Sequence, residues 1–222
     1  MKLPRQVRRL TGTYRTRPIE VDESQPTRRG RAKFTDDESD LARLARIARG
    51  DRDALREIYT VYYHPLLRFI YRVTGQLELA QEGVNDVMMV VWRNAEEFAR
   101  RSSVSTWIMG IAYRKALKLR ERSRRWSDRF VSVDFDEGIE RSEAFAEPSD
   151  DGDLRDLLDQ AMKHLSAEHR AVVELTYFYG CSYEEIAVIA GCPVNTVKTR
   201  MFHARAKLRK LLPMLGKDLP ST

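Results

Sequence analysis

The chain has 222 residues, 39 Lys and Arg against 33 Asp and Glu, a net charge of +6 and a pI near 9.4. Set against a usual domain size of about 100–200 residues, this length admits one large domain or two small ones, and clustered positive charge favours a nucleic-acid partner. No apolar run approaches the ~18 residues of a membrane span, and the Arg-rich start lacks an apolar h-region, so a membrane protein is excluded and a soluble, cytoplasmic chain is expected.

Residues 1–34 carry ten Lys or Arg against three acids, broken by Pro4, Pro18, Pro26 and Gly30. Such a segment has little to bury and is expected to be a disordered basic arm, either touching nucleic acid non-specifically or inert. From Asp36 the pattern becomes helical. Leu41, Leu44, Ala45 and Ile47/Ala48 repeat at helical spacing up to Gly50, a natural C-cap. A second helix starts near Asp51–Asp53, carries Leu55, Ile58, Tyr59 and Tyr62, passes Pro65 with Leu66, Phe69, Ile70 and Val73, and ends near Gly75. Its aromatics are expected in the core.

The third helix is predicted over about 78–98. Val84, Val87, Met88, Val91, Ala95 and Phe98 form its inward stripe, which leaves Glu82, Asp86, Met89, Val90, Arg93 and Glu97 outside. Two large apolar side chains among charges have the anatomy of a partner site, an apolar centre with a charged rim; a second buried face is the alternative. After the loop ARRSSVS a fourth helix is predicted over about 106–126, with Ser105 as its cap. Ile108, Ile111, Ala112 and Leu119 would pack, while Trp107, Arg114, Lys118, Arg122 and Arg125 lie along one line. With Arg100, Arg101, Tyr113 and Lys115 they make a basic surface interleaved with aromatics, which suits single-stranded or opening DNA: bases stack on rings while cations follow the backbone.

Between Asp134 and Asp153 the composition turns acidic and is broken by Gly138, Pro148 and Gly152, as expected of a solvated linker that could also shield neighbouring basic faces. A helix bearing Leu154, Leu157, Leu158, Ala161, Met162 and Leu165 leads to Ser166, an expected N-cap. The next helix bears Val172, Val173, Leu175 and Tyr179 and ends at Gly180. Then comes SYEEIAVIAGCPVNTVKTRMFHARAKLRKLL, a short helix, a turn opened by Gly191 and a longer basic helix entered through Pro193, the pattern of a helix-turn-helix DNA reader. Ala187 and Val197 are expected where the two helices meet. Projection puts Val197, Met201, Ala204, Leu208 and Leu211 on the buried stripe and Asn195, Lys198, Thr199, Phe202 and His203 opposite. Thr196 and Arg200 flank these readers, and Arg200 with Arg205, Lys207, Arg209 and Lys210 points to phosphates or solvent. Phe against a thymine methyl and polar side chains against base edges suit a major groove, whereas packing within its own domain leaves Phe202 without a role. A solvated helix closing a bundle is the plainer alternative.

The expected fold is therefore all-α: two small helical domains joined by an acidic flexible linker, the second a four-helix helix-turn-helix domain. The division is 1–34 arm, 35–129 first domain, 130–153 linker, 154–215 second domain and 216–222 tail. Cys181 and Cys192 lack CxxC spacing and read as thiols in a reducing compartment. With no metal cluster, no nucleophile paired with a base and no phosphate-cradling Gly loop, no catalysis, cofactor or metal is expected.

Two stretches, NDVMMVVWRNAEEF followed by STWIMGIAYRKALKLRERSRR, and LSAEHRAVVELTYFYGCSYEEIAVIAGCPVNTVKTRMFHARAKLRKL, resemble the bacterial sigma factors of the extracytoplasmic-function group (group 4), which keep the second and fourth sigma domains. The resemblance spans about 36–212. It implies an alternative sigma factor that directs promoter recognition, melting and transcription initiation. It also implies docking of Glu82, Asp86, Met89, Val90 and Arg93 on the clamp helices of the largest polymerase subunit, contact of the second domain with the polymerase flap, melting of the minus-10 element by the segment from Arg100 to Lys118, and reading of the minus-35 element by Asn195 to His203. An anti-sigma factor is implied as a further partner, while the acids missing from Leu79 to Glu82 permit control by a kinase through phosphorylation-dependent docking instead. The sequence departs from the group at Leu79-Ala80-Gln81-Glu82, where an acidic cluster is usual, and at Arg114 and Lys118, where Asn and Asp are common. The rival readings are a helix-turn-helix regulator that works without polymerase, with a dimerisation face and a palindromic site, and an interaction protein that binds a regulator through Met89 and Val90.

Overall fold

A computed structural model describes residues 37–130 and 152–215, all helical apart from turns. The basic arm, nearly all of the acidic linker and the tail lie outside the described residues.

The first helix, α1 (Asp37–Ile47), opens with Asp37, Glu38 and Asp40, acids that suit the positive end of a helix. Leu44 and Ile47 are buried, but Ala45 and Ala48, expected to pack, are exposed because only one stripe of so short a helix reaches α2 (Arg52–Thr74) and α4 (Val104–Phe130). Asp40 is the unforeseen core residue: 1% exposed, it accepts the Tyr62 hydroxyl at 2.5 Å and Arg43 at 3.0 Å. Asp51 caps α2, accepting from the backbone of Asp53 and Ala54, and Arg46 reaches it at 2.8 Å from the last turn of α1. Those amide bonds, chiefly that of Ala54, with Arg46 beside them, hold the Asp51 carboxyl below the usual range.

Helix α2 runs through Pro65 and ends at Gly75, whose left-handed φ of 79° lets its N–H close on the Tyr71 carbonyl at 2.7 Å. At this end Arg120 from α4 donates to the Thr74 carbonyl at 2.9 Å and Arg170 from the second domain donates to the Arg72 carbonyl at 3.1 Å. Cations at a helix C-terminus satisfy orphan carbonyls and oppose the negative dipole end. Helix α3 (Leu77–Asn94) stops earlier than its apolar pattern suggested, with Phe98 in the following turn against Trp107. Its approach to α2 and α4 depends on Gly83, where an added Cβ would stand 3.0 Å from both Ile70 Cδ1 and Leu119 Cδ1. Helix α4 begins two residues before the predicted start and is capped by Ser103 rather than Ser105: Ser103 Oγ accepts the Thr106 N–H at 3.1 Å, and Asp37 accepts the Val104 N–H at 2.9 Å.

The second domain comprises α5 (Gly152–Lys163), α6 (Ala167–Tyr177), α7 (Tyr183–Ala190) and α8 (Val194–Leu215). Ser166 caps α6 as expected, its Oγ accepting the His169 N–H at 3.2 Å. At α7 the sequence SYEE builds a capping box that the apolar pattern does not reveal, since Ser182 accepts the Glu185 N–H at 3.2 Å and Glu185 accepts the Ser182 N–H at 2.8 Å. Ser182→Ala is expected to destabilise this domain by about 1 kcal/mol, lowering its Tm by about 4–8 °C for a domain of this size. Melting followed by circular dichroism checks it, and an unchanged Tm would contradict the role given to the cap.

The two domains are packed on one another, a feature the linker composition gave no reason to expect. Helix α6 lies on α2, and α7 lies on α4. Tyr179 stacks edge-on against Phe69 and donates its hydroxyl to the Pro65 carbonyl at 2.7 Å. Gly110 lies where α7 meets α4, and an ideal Cβ there would make an ordinary contact with the Ile189 carbonyl oxygen at 3.5 Å.

Candidate nucleic-acid interface

The turn between α7 and α8 is built by Gly191, whose φ of 62° and ψ of 38° are open to glycine at little cost and whose N–H caps the α7 carbonyls of Ala187 and Val188. Pro193 accepts the Thr196 N–H at 2.9 Å and so starts α8. Val197, Met201 and Ala204 are then buried at 1% exposure or less, and Leu208 packs at the edge of the core. That fixes the rotation of the helix. Asn195, Lys198, Thr199, Phe202 and His203 all face solvent, with Phe202 69% exposed. The Phe202 ring meets the His203 ring edge-on at 5.5 Å, and His203 lies 6.2 Å from His169 of α6. Burial and the neighbouring His203 push the His169 pKa down, which limits charge behind the reading face. Thr196 is half-buried. Arg200 turns away from the readers and donates to the Tyr113 hydroxyl at 3.1 Å.

On the first domain Arg100, Arg101, Arg114 and Lys118 are exposed, and Arg100 holds a left-handed φ of 53° in the loop before α4. The aromatics differ from the expected exposed row. Trp107 is half-buried because Phe98 packs against it at 5.2 Å, and Tyr113 is 3% exposed because the second domain covers it. Burial pushes the Tyr113 phenol up, so it remains a neutral partner for Arg200. Lys115 is bound at 2.9 Å to Asp86 of α3, and Arg122 at 2.6 Å to Glu82. The basic edge of α4 and the acidic edge of α3 therefore meet. On the outer face of α3, Met89 is 48% exposed, Val90 is half-buried against the core and Arg93 is exposed.

A second cluster, missed in the sequence, lies where α6 meets α2. Arg170, Glu174 and Phe178 stand four residues apart on one line facing α2. Arg170 is 5% exposed and donates to the carbonyls of Met162 and Lys163 at 2.8 Å each and of Arg72 at 3.1 Å. Arg72 pairs with Asp159 of α5 and lies over the Phe178 ring, 5.4 Å from its centroid. Glu174, between them, is 1% exposed and neither carboxyl oxygen has a hydrogen-bond partner. The readable signal was a pair of charges four residues apart inside the apolar run RAVVELTYFY.

Among the described residues no group of three or more His, Cys, Asp or Glu is placed to hold a metal ion, and no helix is long and apolar enough to cross a membrane.

Comparison with known proteins gives matches over both domains. Residues 58–126 match the family model "Sigma-70 region 2" and residues 155–208 match "Sigma-70, region 4". The chain is 31% identical over 188 residues to the RNA polymerase sigma-H factor of Pseudomonas aeruginosa, covering 82% of this chain and 97% of that one. It is 29% identical over 167 residues to the RNA polymerase sigma factor YlaC of Bacillus subtilis, covering 72% and 92%. Among solved structures, the sigma factor RpoE of Bartonella quintana, in complex with the anti-sigma factor NepR, is similar at a TM-score of 0.54 and 27% identity over 71% of this chain and 96% of that one. CnrH, in complex with the cytosolic domain of CnrY, shares the fold at a TM-score of 0.57 and 20% identity over 79% and 98%.

Proposed function

Since the chain belongs to the sigma-70 family, as an alternative RNA polymerase sigma factor of the extracytoplasmic-function type and not an enzyme, we propose how its surfaces divide the work of initiation. Core RNA polymerase and promoter DNA are its partners. Residues 35–129 act as sigma domain 2 and residues 154–215 as sigma domain 4, tethered by residues 130–153. Asn195, Thr196, Lys198, Thr199, Phe202 and His203 read the minus-35 element in the major groove, with Arg200 joining them on phosphate once it leaves Tyr113. Arg100, Arg101, Trp107, Tyr113, Arg114, Lys115 and Lys118 engage and open the minus-10 element. Glu82, Asp86, Met89, Val90 and Arg93 dock on the clamp helices of the largest subunit, and the second domain meets the flap. The observation that carries this reading is the exposed Phe202 set among Lys198, Thr199 and His203, opposite the buried Val197, Met201 and Ala204.

No bond is made or broken by this chain. Opening is driven by binding: bases leave the stack for protein surfaces, cations replace the counterions of the phosphates, and polymerase contacts hold the opened strands. An anti-sigma factor is a natural regulator, as the similar RpoE structure is a complex of a sigma factor with an anti-sigma factor. A kinase that adds negative charge to the docking surface is the other, and the site of action is the cytoplasm.

Purified chain added to core polymerase with a promoter library tests this. Specific initiation that depends on the chain is expected; DNA binding without core and no initiation would sink it and favour a regulator that works alone. Asp86→Arg is a sharper test of the docking face. It reverses a charge beside Met89 and sets two cations where Lys115 had its partner, so affinity for core should fall about tenfold or more, roughly 1.4 kcal/mol. Equal affinity in a titration with labelled core would remove α3 from the interface.

A further inference from the structure

Helix α4 is both the melting helix of the proposed function and a wall of the seam between the domains. Closure covers Tyr113 and engages Arg200, so minus-10 and minus-35 residues are tied to each other rather than to DNA. The other half of that seam, α2 against α6, contains a carboxylic acid with no donor. Resting on that functional reading, we propose that the α2–α6 seam is a proton-operated latch: protonated Glu174 holds the two domains closed over the melting helix, and loss of its proton releases them.

The groups around Glu174 explain why the closed seam suits the neutral acid. From α2 come Arg68 and Arg72, from α5 Asp159, from α6 Arg170, and just beyond α6 the Tyr179 phenol; Arg120 of α4 stands near Arg170. Cations are present, yet the Arg170 donors are directed to the carbonyls of Met162, Lys163 and Arg72, and Arg72 is held by Asp159 and Phe178. A buried ionised carboxylate without donors is strongly disfavoured, whereas the neutral acid costs much less. Burial is the main cause that raises the Glu174 pKa from an ordinary 4.5 to about 7, opposed by Arg72 and Arg170 and assisted by Asp159.

Opening the seam returns the carboxyl to water. The closed state then binds the proton more tightly than the open state, so closure is fully favoured below about pH 4.5 and weakens as pH rises to about 7, above which it is constant. Across that window the closed-to-open ratio is expected to fall by up to about two orders of magnitude.

Small-angle scattering of the full chain without DNA or polymerase tests the latch. Wild type is expected to be compact at pH 5 and expanded at pH 8, and Glu174→Gln, neutral at every pH, to keep one radius of gyration at both. Arg72→Ala, which removes the Asp159 pair and the contact with Phe178 from the α2 side, is expected to be expanded at both pH values with unchanged helix content by circular dichroism. If wild type has the same radius at both pH values, or if Glu174→Gln expands like wild type, the latch is overturned. Initiation with core polymerase in parallel separates the two ideas. Initiation with a pH-independent radius removes only the latch, and a pH-dependent radius that Glu174→Gln abolishes, without initiation, removes the functional reading.

Discussion

Gly83→Leu is expected to destabilise the first domain by about 3 kcal/mol, the upper part of the range for overpacking a filled core. Even a lone Cβ at this position would press on Ile70 and Leu119 at 3.0 Å, and both of those belong to elements fixed by other contacts. Ile70 is fully buried on α2 and Leu119 is 4% exposed on α4, so a branched side chain must lever α3 away from both. For a domain of this size that loss lowers Tm by about 12–24 °C. Gly83→Ala is the informative control. It gains roughly 1 kcal/mol of helix propensity against the same tight contact, and is expected to leave Tm close to wild type. A Gly83→Leu protein that melts with wild type would show that α3 is not seated as described, and the faces assigned to Met89 and Asp86 would fall with it.

Phe202→Ala has the largest expected effect on function. The ring is 69% exposed and lies opposite Val197, Met201 and Ala204, so its removal should leave folding unaltered. In the major groove the same ring would cover a thymine methyl, and a good base contact contributes about 1–3 kcal/mol of discrimination. Holoenzyme carrying Phe202→Ala should therefore lose about five- to 150-fold of its preference for a cognate minus-35 promoter over one altered at that element. Competition between two such templates in run-off transcription reads the ratio. An unchanged ratio with unchanged Tm would leave the exposed ring unexplained and move recognition to another face.

What the sequence made legible follows from periodicity and turn chemistry. The buried stripe of α8 was readable because apolar residues recur at four and three, and Gly191 was readable because the turn needs a left-handed residue. The exposed face of α8 followed as the complement of that stripe. The same projection failed on α4: it placed Tyr113 near a basic surface but could not know that α7 and α8 would cover it. Arg200 was read as a cation for phosphate, whereas its partner here is a phenol 87 residues away in sequence. Long-range pairing of this kind leaves no local period. The caps show the same limit on a smaller scale, since Ser103 and Ser105 are equally plausible by type and Asp37 from α1 helps settle the start of α4. Glu174 was hidden for a different reason. A pair of charges four residues apart in an apolar run is normally a solvated face, and only the packing of α6 on α2 turns Glu174 into a buried acid.

Permanganate footprinting of a promoter bound by core polymerase and this chain shows whether α4 opens DNA while α8 holds it. Reactive, unpaired thymines are expected over the minus-10 element only when both proteins are present, with the minus-35 element protected and both signals weakened by Phe202→Ala. Protection of duplex DNA by the chain alone, with no reactive thymines after core is added, would contradict that division of roles.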